Sequence, residues 1–155
     1  MKLKSWEEIF EIVQNLKASG KKIVFTNGCF DIIHAGHIKY LYEASELGDI
    51  LIIGLNSDAS AKRLKGKNRP INSELDRATV LSSLTVIDYI IIFQEDTPYK
   101  LIKHIKPDIL VKGGDWKPEE IVGSDIVMKN GGIVKSLIFK EGFSTTDLIE
   151  KIKKI

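Results

Sequence analysis

His34 and His37 stand three residues apart in the stretch Lys22-Ile23-Val24-Phe25-Thr26-Asn27-Gly28-Cys29-Phe30-Asp31-Ile32-Ile33-His34-Ala35-Gly36-His37. The stretch reads as a buried strand, a tight turn at Gly28 and the first turn of a helix. Residues three apart share a helix face, so both imidazoles can point at one object outside the strand's carboxyl end. The N–H groups of the turn and the positive end of the helix favour an anion there, and a phosphate chain is the expected one. Two imidazoles beside it can stabilise charge that grows during reaction.

Other residues can serve the same chemistry. Lys62, Arg63, Lys65, Lys67 and Arg69 put five cations into eight residues. A solvated loop explains such a run, but mobile cations beyond a strand end can also close on phosphates and shut out water. Gly66-Lys67 is no Walker A motif, because Ala61 stands where its first Gly belongs and Asn68 where Ser or Thr belongs. Lys112-Gly113-Gly114-Asp115-Trp116 offers a cation, backbone free to approach a ligand and an indole that can stack, although a strand-to-loop turn explains the glycines as well. Ser144-Thr145-Thr146, after Gly142, marks a helix start whose hydroxyls and N–H groups suit a triphosphate; an N-cap alone accounts for one hydroxyl.

Several residues keep two readings at this level. Gly28 permits positive φ and Gly36 leaves room beside the helix for a nucleotide, or each is a plain turn glycine. Phe30 packs beneath the loop. Asp31 beside a triphosphate is unwelcome unless it meets a sugar hydroxyl, a lysine or Mg²⁺. Cys29, His34 and His37 also spell Cys-x4-His-x2-His, three zinc donors with no fourth ligand or general base nearby in sequence. A nucleotide-binding module without catalysis is the other rival class, set against both histidines and the cationic run.

The elements that must position these residues alternate along the chain. Ile23 to Phe25, Ile50 to Leu55, Tyr89 to Phe93, Ile109 to Val111 and Ile133 to Leu137 read as strands, and their continuous apolar character suits a sheet covered on both faces. Helices are expected over Ser5 to Ser19, Gly36 to Leu47, Ser73 to Leu84, from Thr97-Pro98 to Pro107, and over Thr145 to Ile155. The βαβαβ order predicts an α/β fold, a doubly wound, mainly parallel five-stranded Rossmann-like sheet with its ligand crevice at the strands' carboxyl ends. At 155 residues and 43% hydrophobic composition the chain suits a single domain over 1–155, with an N-terminal helix within 1–20 packed on it. A formal charge of +2 gives no nucleic-acid-scale basic surface. The single Cys29 excludes an intrachain disulfide, and the charged N-terminus lacks an apolar signal core, so a cytoplasmic protein is expected. No apolar run approaches the ~20 residues of a membrane span.

The His-Ala-Gly-His core within Gly-Cys-Phe-Asp-x-x-His-x-Gly-His resembles the HxGH signature of nucleotidyltransferases. Asn56-Ser57-Asp58-Ala59-Ser60 with Lys62-Arg63-Leu64-Lys65-Gly66, Arg69-Pro70-Ile71-Asn72, Val111-Lys112-Gly113-Gly114-Asp115-Trp116 and Gly142-Phe143-Ser144-Thr145-Thr146 all look like one subfamily. It comprises the D-glycero-β-D-manno-heptose 1-phosphate adenylyltransferases, found alone or as the C-terminal half of a bifunctional heptose kinase/adenylyltransferase. The likeness runs from about Lys21 to the C-terminus. It implies Mg²⁺-dependent transfer of AMP from ATP to the heptose 1-phosphate, giving ADP-heptose and pyrophosphate for lipopolysaccharide or another surface glycan. It further implies His34, His37 and Lys65 as catalytic groups, with no metal held by the protein itself. Thr26, Asn27, Gly28, Cys29, Phe30, Gly36, Asn56, Arg63, Ser144, Thr145 and Thr146 would meet the nucleotide. Asp31, Arg69, Lys112, Gly113, Gly114, Asp115 and Trp116 would meet the acceptor. Arg77 matches an arginine that recurs in related cytidylyltransferases, or is a surface ion pair. Those relatives often carry Arg where this chain has Lys140. The implied partners are ATP and a sugar 1-phosphate, with the sugar kinase expected on a separate chain, no nucleic acid and no membrane, and the likeness is compatible with a homodimer. The alternative within this class is another small phosphorylated acceptor, such as glycerol 3-phosphate with CTP.

Overall fold

The five apolar runs pair as strands β1 (Ile23–Gly28), β2 (Ile50–Asn56), β3 (Tyr89–Phe93), β4 (Ile109–Gly113) and β5 (Ile133–Leu137). In the computed structural model, which describes residues 2–138 and 142–155, they form one parallel sheet in the order β3-β2-β1-β4-β5. Alternate side chains of each run feed opposite layers. Ile23, Phe25, Ile52, Ile91, Phe93 and Leu110 pack against α1 (Trp6–Ala18), α5 (Tyr99–Ile105) and α6 (Ser124–Lys129). Val24, Leu51, Ile53, Leu55, Ile90, Ile109 and Val111 pack against α2 (Ala35–Ser45) and α4 (Glu74–Ser82). Two-sided burial is why these strands read as unbroken apolar runs. Two further helices, α3 (Asp58–Lys65) and α7 (Thr145–Lys153), begin beyond the sheet's carboxyl edge. Among the described residues no helix is long and apolar enough to cross a membrane.

A repeated aspartate device sets the strand register. Asp49, Asp88 and Asp108 lie just before β2, β3 and β4. Their backbone N–H groups donate to the carbonyls of Lys22, Leu51 and Ile23, at 2.9, 3.0 and 3.0 Å. Their carboxylates accept, at 2.8 Å each, from the N–H groups of those same three residues. Each pair pins the start of one strand to its neighbour. This matters because a parallel register that slips by one residue sends every side chain to the wrong face.

Two expectations need correction. The cationic run is not a loop throughout: Lys62, Arg63 and Lys65 lie on α3, capped by the Ser57 side chain, and only the stretch from Gly66 is loop. The helix buries little besides Ser60 and Ala61, so it lacks the broad apolar stripe by which helices are recognised. The second concerns Gly28. β1 runs on through Thr26, Asn27 and Gly28, paired with Ile53, Gly54 and Leu55, and Gly28 does not have positive φ. Cross-strand pairing overrides the local turn signal. Short segments also escaped the pattern: α6, and a 3₁₀ turn at Pro118–Glu120.

Replacing Asp88 with Ala leaves the Leu51 N–H without its acceptor. It should cost about 1–3 kcal/mol of unfolding free energy. Urea titration of the variant checks this, and an unchanged midpoint would show that the device contributes nothing.

Candidate active site

β1 lies between β2 and β4, and chain order reverses there, so the crevice of a doubly wound sheet is expected at the carboxyl end of β1. A cavity of about 320 Å³ occupies that place. It is lined by Cys29, Phe30, Asp31, His34 and His37 from the β1–α2 segment, Lys65 and Arg69 from the end of α3 and its following loop, and Phe143, Ser144, Thr145 and Thr146 at the start of α7. The N-termini of α2 and α7 therefore converge on one space, each presenting its positive dipole end.

The two histidines are built into the start of α2 as a capping box. His34 is the N-cap, and its Nδ1 accepts from the Gly36 N–H at 3.1 Å, while His37 Nδ1 accepts from the His34 N–H at 3.4 Å. Ser/Thr and Glu usually fill these two positions. With each Nδ1 accepting, the neutral rings carry their protons on Nε2, as donors. The rings lie 3.8 Å apart between centroids. Gly36 is needed for this packing: a Cβ there would sit 2.8 Å from Phe143 Cβ and 3.0 Å from the His34 ring. Phe143, which nearly parallels the His34 ring, is a cavity residue that the sequence pattern did not single out.

Asp31 is taken up within the protein. Its carboxylate accepts from Arg69 Nε at 2.7 Å and from the N–H groups of Ile71 at 2.9 Å and Asn72 at 3.0 Å. Burial opposes its ionisation, but those N–H groups and the guanidinium outweigh it and hold the carboxyl below its ordinary range. Arg77 is no surface ion pair. Its side chain is fully buried, donating to the carbonyls of Cys29 and Asn72 and to Asp58 Oδ1.

Other candidates stand apart from the cavity. Thr26 is fully buried and bonded to Tyr40, and Asn56 is buried and donates to Ser60 Oγ. Arg63 pairs with Asp96 and the Gln94 carbonyl. Asn27 and Gly28 end β1 without lining the cavity. At the end of β4, the Lys112 ammonium lies 5.1 Å from the Trp116 ring centre, and Trp116 Nε1 donates to the Gly113 carbonyl. Gly114 has φ +125°, and a Cβ there would meet Trp116 Nε1 at 2.7 Å. Burial, and then the charge of Lys65, lower the Lys112 pKa, so the Lys112–Trp116 group lies within electrostatic reach of the cavity although it does not line it. Asp115 is exposed beside it. Of the residues that do line the cavity, Ser144 caps α7 by accepting from the Asp147 N–H, and Thr145 Oγ1 donates to the Ile32 carbonyl. Lys140 lies outside the described residues.

Over residues 25–151 the sequence matches the Cytidylyltransferase-like family. The chain belongs to that family, and it is a nucleotidyltransferase. It is 59% identical over 151 residues to the Bifunctional protein HldE of Nitratiruptor sp., covering 97% of this chain and 32% of that protein. With the Bifunctional protein HldE of Campylobacter concisus it shares 61% identity, covering 98% of this chain and 31% of that one. The chain thus spans about a third of the length of the curated relatives it matches. Among solved structures it is similar to the lipopolysaccharide core biosynthesis protein from Thermoplasma volcanium, with 34% identity and a TM-score of 0.63 over 78% of this chain and 98% of that one. A pantoate-beta-alanine ligase from Francisella tularensis, at 14% identity and a TM-score of 0.62 over 100% of this chain and 78% of that one, shares the fold.

In this cytidylyltransferase-like site the imidazoles are neutral. Burial, and then the neighbouring His34, push His37 down to about 4, and burial lowers His34 too. Burial pushes the Cys29 thiol up despite nearby Lys65, Arg77 and Arg69, so it is a protonated wall residue. Among the described residues no three or more His, Cys, Asp or Glu side chains are placed to hold a metal ion together. What the cavity offers an anion is two neutral Nε2–H donors, two helix N-termini and the cations Lys65 and Arg69.

The unfolded chain takes up a proton at His37 near 6.5, whereas the folded protein resists it until about 4. The stability associated with neutral His37 is therefore complete above about 6.5 and declines as pH falls toward 4. Histidine-ring NMR of the free protein should give His37 a midpoint near 4. A midpoint at or above 6.5 would refute the buried, neutral assignment.

Proposed function

We propose that the chain transfers AMP from ATP to D-glycero-β-D-manno-heptose 1-phosphate, releasing pyrophosphate and forming ADP-heptose for lipopolysaccharide or another surface glycan. The observation that carries this is the convergence of two Nε2–H imidazole donors, two helix N-termini and two cations on one cavity whose thiol is held protonated. Such a site suits in-line attack by a group that is already anionic. An acceptor phosphate oxygen bonds to the α-phosphorus as the bond to the β-phosphate oxygen breaks, and the electron pair leaves with pyrophosphate. No proton need be removed, so positioning and charge stabilisation suffice. His34 and His37 would donate to the phosphate oxygens on which charge grows, and Lys65 and Arg69 would hold the phosphates of nucleotide and acceptor. The heptose-type tracts around Arg69-Pro70-Ile71-Asn72 and Lys112-Gly113-Gly114-Asp115 favour the sugar acceptor, and the similarity to a lipopolysaccharide core biosynthesis protein favours the glycan.

Mg²⁺ fits this site as an ion brought in on the nucleotide. Asp31, the carboxylate that lines the cavity among the described residues, already accepts from Arg69, Ile71 and Asn72. The ion would then be held mainly by phosphate oxygens and water, whose negative charge it would offset.

Pyrophosphate release measured over a panel of nucleotides and phosphorylated acceptors should be fastest for ATP with the β-configured heptose 1-phosphate. Faster release with CTP and glycerol 3-phosphate would overturn the acceptor assignment. His34→Ala and His37→Ala should each lower kcat by roughly 10²–10³ with little loss of ATP affinity. Lys65→Ala should raise KM and lower kcat while changing stability by no more than about 0.5 kcal/mol, since Lys65 is exposed on α3. Unchanged kinetics in that variant would return Lys65 to solvent.

A further inference from the structure

Among the described residues two non-glycine positions have left-handed backbone, Phe30 with φ +46° and Lys106 with φ +50°. Lys106 caps the end of α5, where that conformation is ordinary. Phe30 has no such reason. It lies in the loop between β1 and α2, and its bulk makes the conformation costly unless the surroundings impose it.

The surroundings grip it from both sides. Before it, the Cys29 carbonyl accepts from Arg77 Nη1, and the same buried guanidinium reaches the Asn72 carbonyl at 3.1 Å and Asp58 Oδ1 at 2.9 Å. After it, the Asp31 carboxylate takes Arg69 Nε and the N–H groups of Ile71 and Asn72, while Asn72 Nδ2 donates back to the Asp31 carbonyl at 2.7 Å. Burying a guanidinium whose carboxylate partner is half exposed is expensive in stability terms. An apolar residue in its place could not tie three segments together. The gripped turn aims the Phe30 ring between Gly28 and His37. Its edge lies 3.0 Å from where a Cβ on Gly28 would sit, and its centre is 5.4 Å from that of the His37 ring, tilted by 57°. His37 is thereby held between Phe30 on one side and His34 on the other.

We propose that Arg77 and Asp31 are positioning residues which, by fixing the carbonyl before Phe30 and the carboxylate after it, seat the Phe30 ring against His37 and so set that imidazole for nucleotidyl transfer. This rests on the reading of His37 as a catalytic donor. Asp31 then acts through the turn and through Arg69, without touching the acceptor.

The ring current of Phe30 on His37 gives a readout that needs no substrate, so it stands even if the substrate panel fails. The chain has three histidines, which keeps the ring spectrum simple. Phe30→Leu supplies the reference position of the His37 signal without the aromatic neighbour. In folded Arg77→Lys and in Asp31→Asn the His37 signal should move toward that reference. With substrates, kcat should fall about tenfold to a hundredfold while both KM values stay within about threefold. If Arg77→Lys does not fold, Asp31→Asn decides alone. A His37 signal that stays at its wild-type position in the folded variants overturns the proposal. So does a raised acceptor KM with the signal unmoved, which would place Asp31 in direct contact with the acceptor.

Discussion

The parallel pairing of β1 between β2 and β4 is the constraint on which the rest of the structure depends. It buries both faces of the central strand, puts the reversal of chain order at its carboxyl end and so creates the crevice. The reciprocal pairs made by Asp49, Asp88 and Asp108 keep that register at the opposite edge of the sheet. Parallel strands cannot be aligned by a tight hairpin, because each must return through a crossover. A charged side chain that closes a two-way bond at each strand start supplies the alignment instead.

Around the crevice, chemistry is obtained from backbone groups as much as from side chains. The HxGH segment caps its own helix, and the caps consume the Nδ1 atoms, which leaves Nε2–H groups as fixed donors. Keeping both imidazoles neutral is consistent with their 3.8 Å separation, since two imidazolium charges there would repel. Positive charge comes instead from Lys65 and Arg69 and from helix ends. This division gives geometric precision at the histidines and electrostatic reach at the cations.

The loop after α3 serves two purposes at once. Arg69 lines the cavity while its Nε is spent on Asp31, and Asn72 ties the same loop to the β1–α2 turn. The cationic stretch is thus anchored at its far end, which limits how far it can swing.

Much of this could be read from residues alone. The five strands, the covering helices α1, α2, α4 and α5 and the doubly wound class follow from period and composition, because two-sided burial leaves continuous apolar runs, whereas the short α6 does not. The spacing of His34 and His37, set after a strand and before a helix, marked the place of the crevice. The sequence could not determine the strand order, the continuation of β1 through Gly28, the helical state of Lys62 to Lys65, or the partners of Asp31 and Arg77. Each of these depends on contacts between residues distant in sequence: Asp31 meets a residue 38 positions away, Arg77 meets Cys29 across 48, and Thr145 meets Ile32 across 113. Local pattern records which face of an element is apolar. It carries no record of which charged side chain will find a carbonyl or carboxylate on another element, because that pairing exists only once the sheet has brought the two segments together.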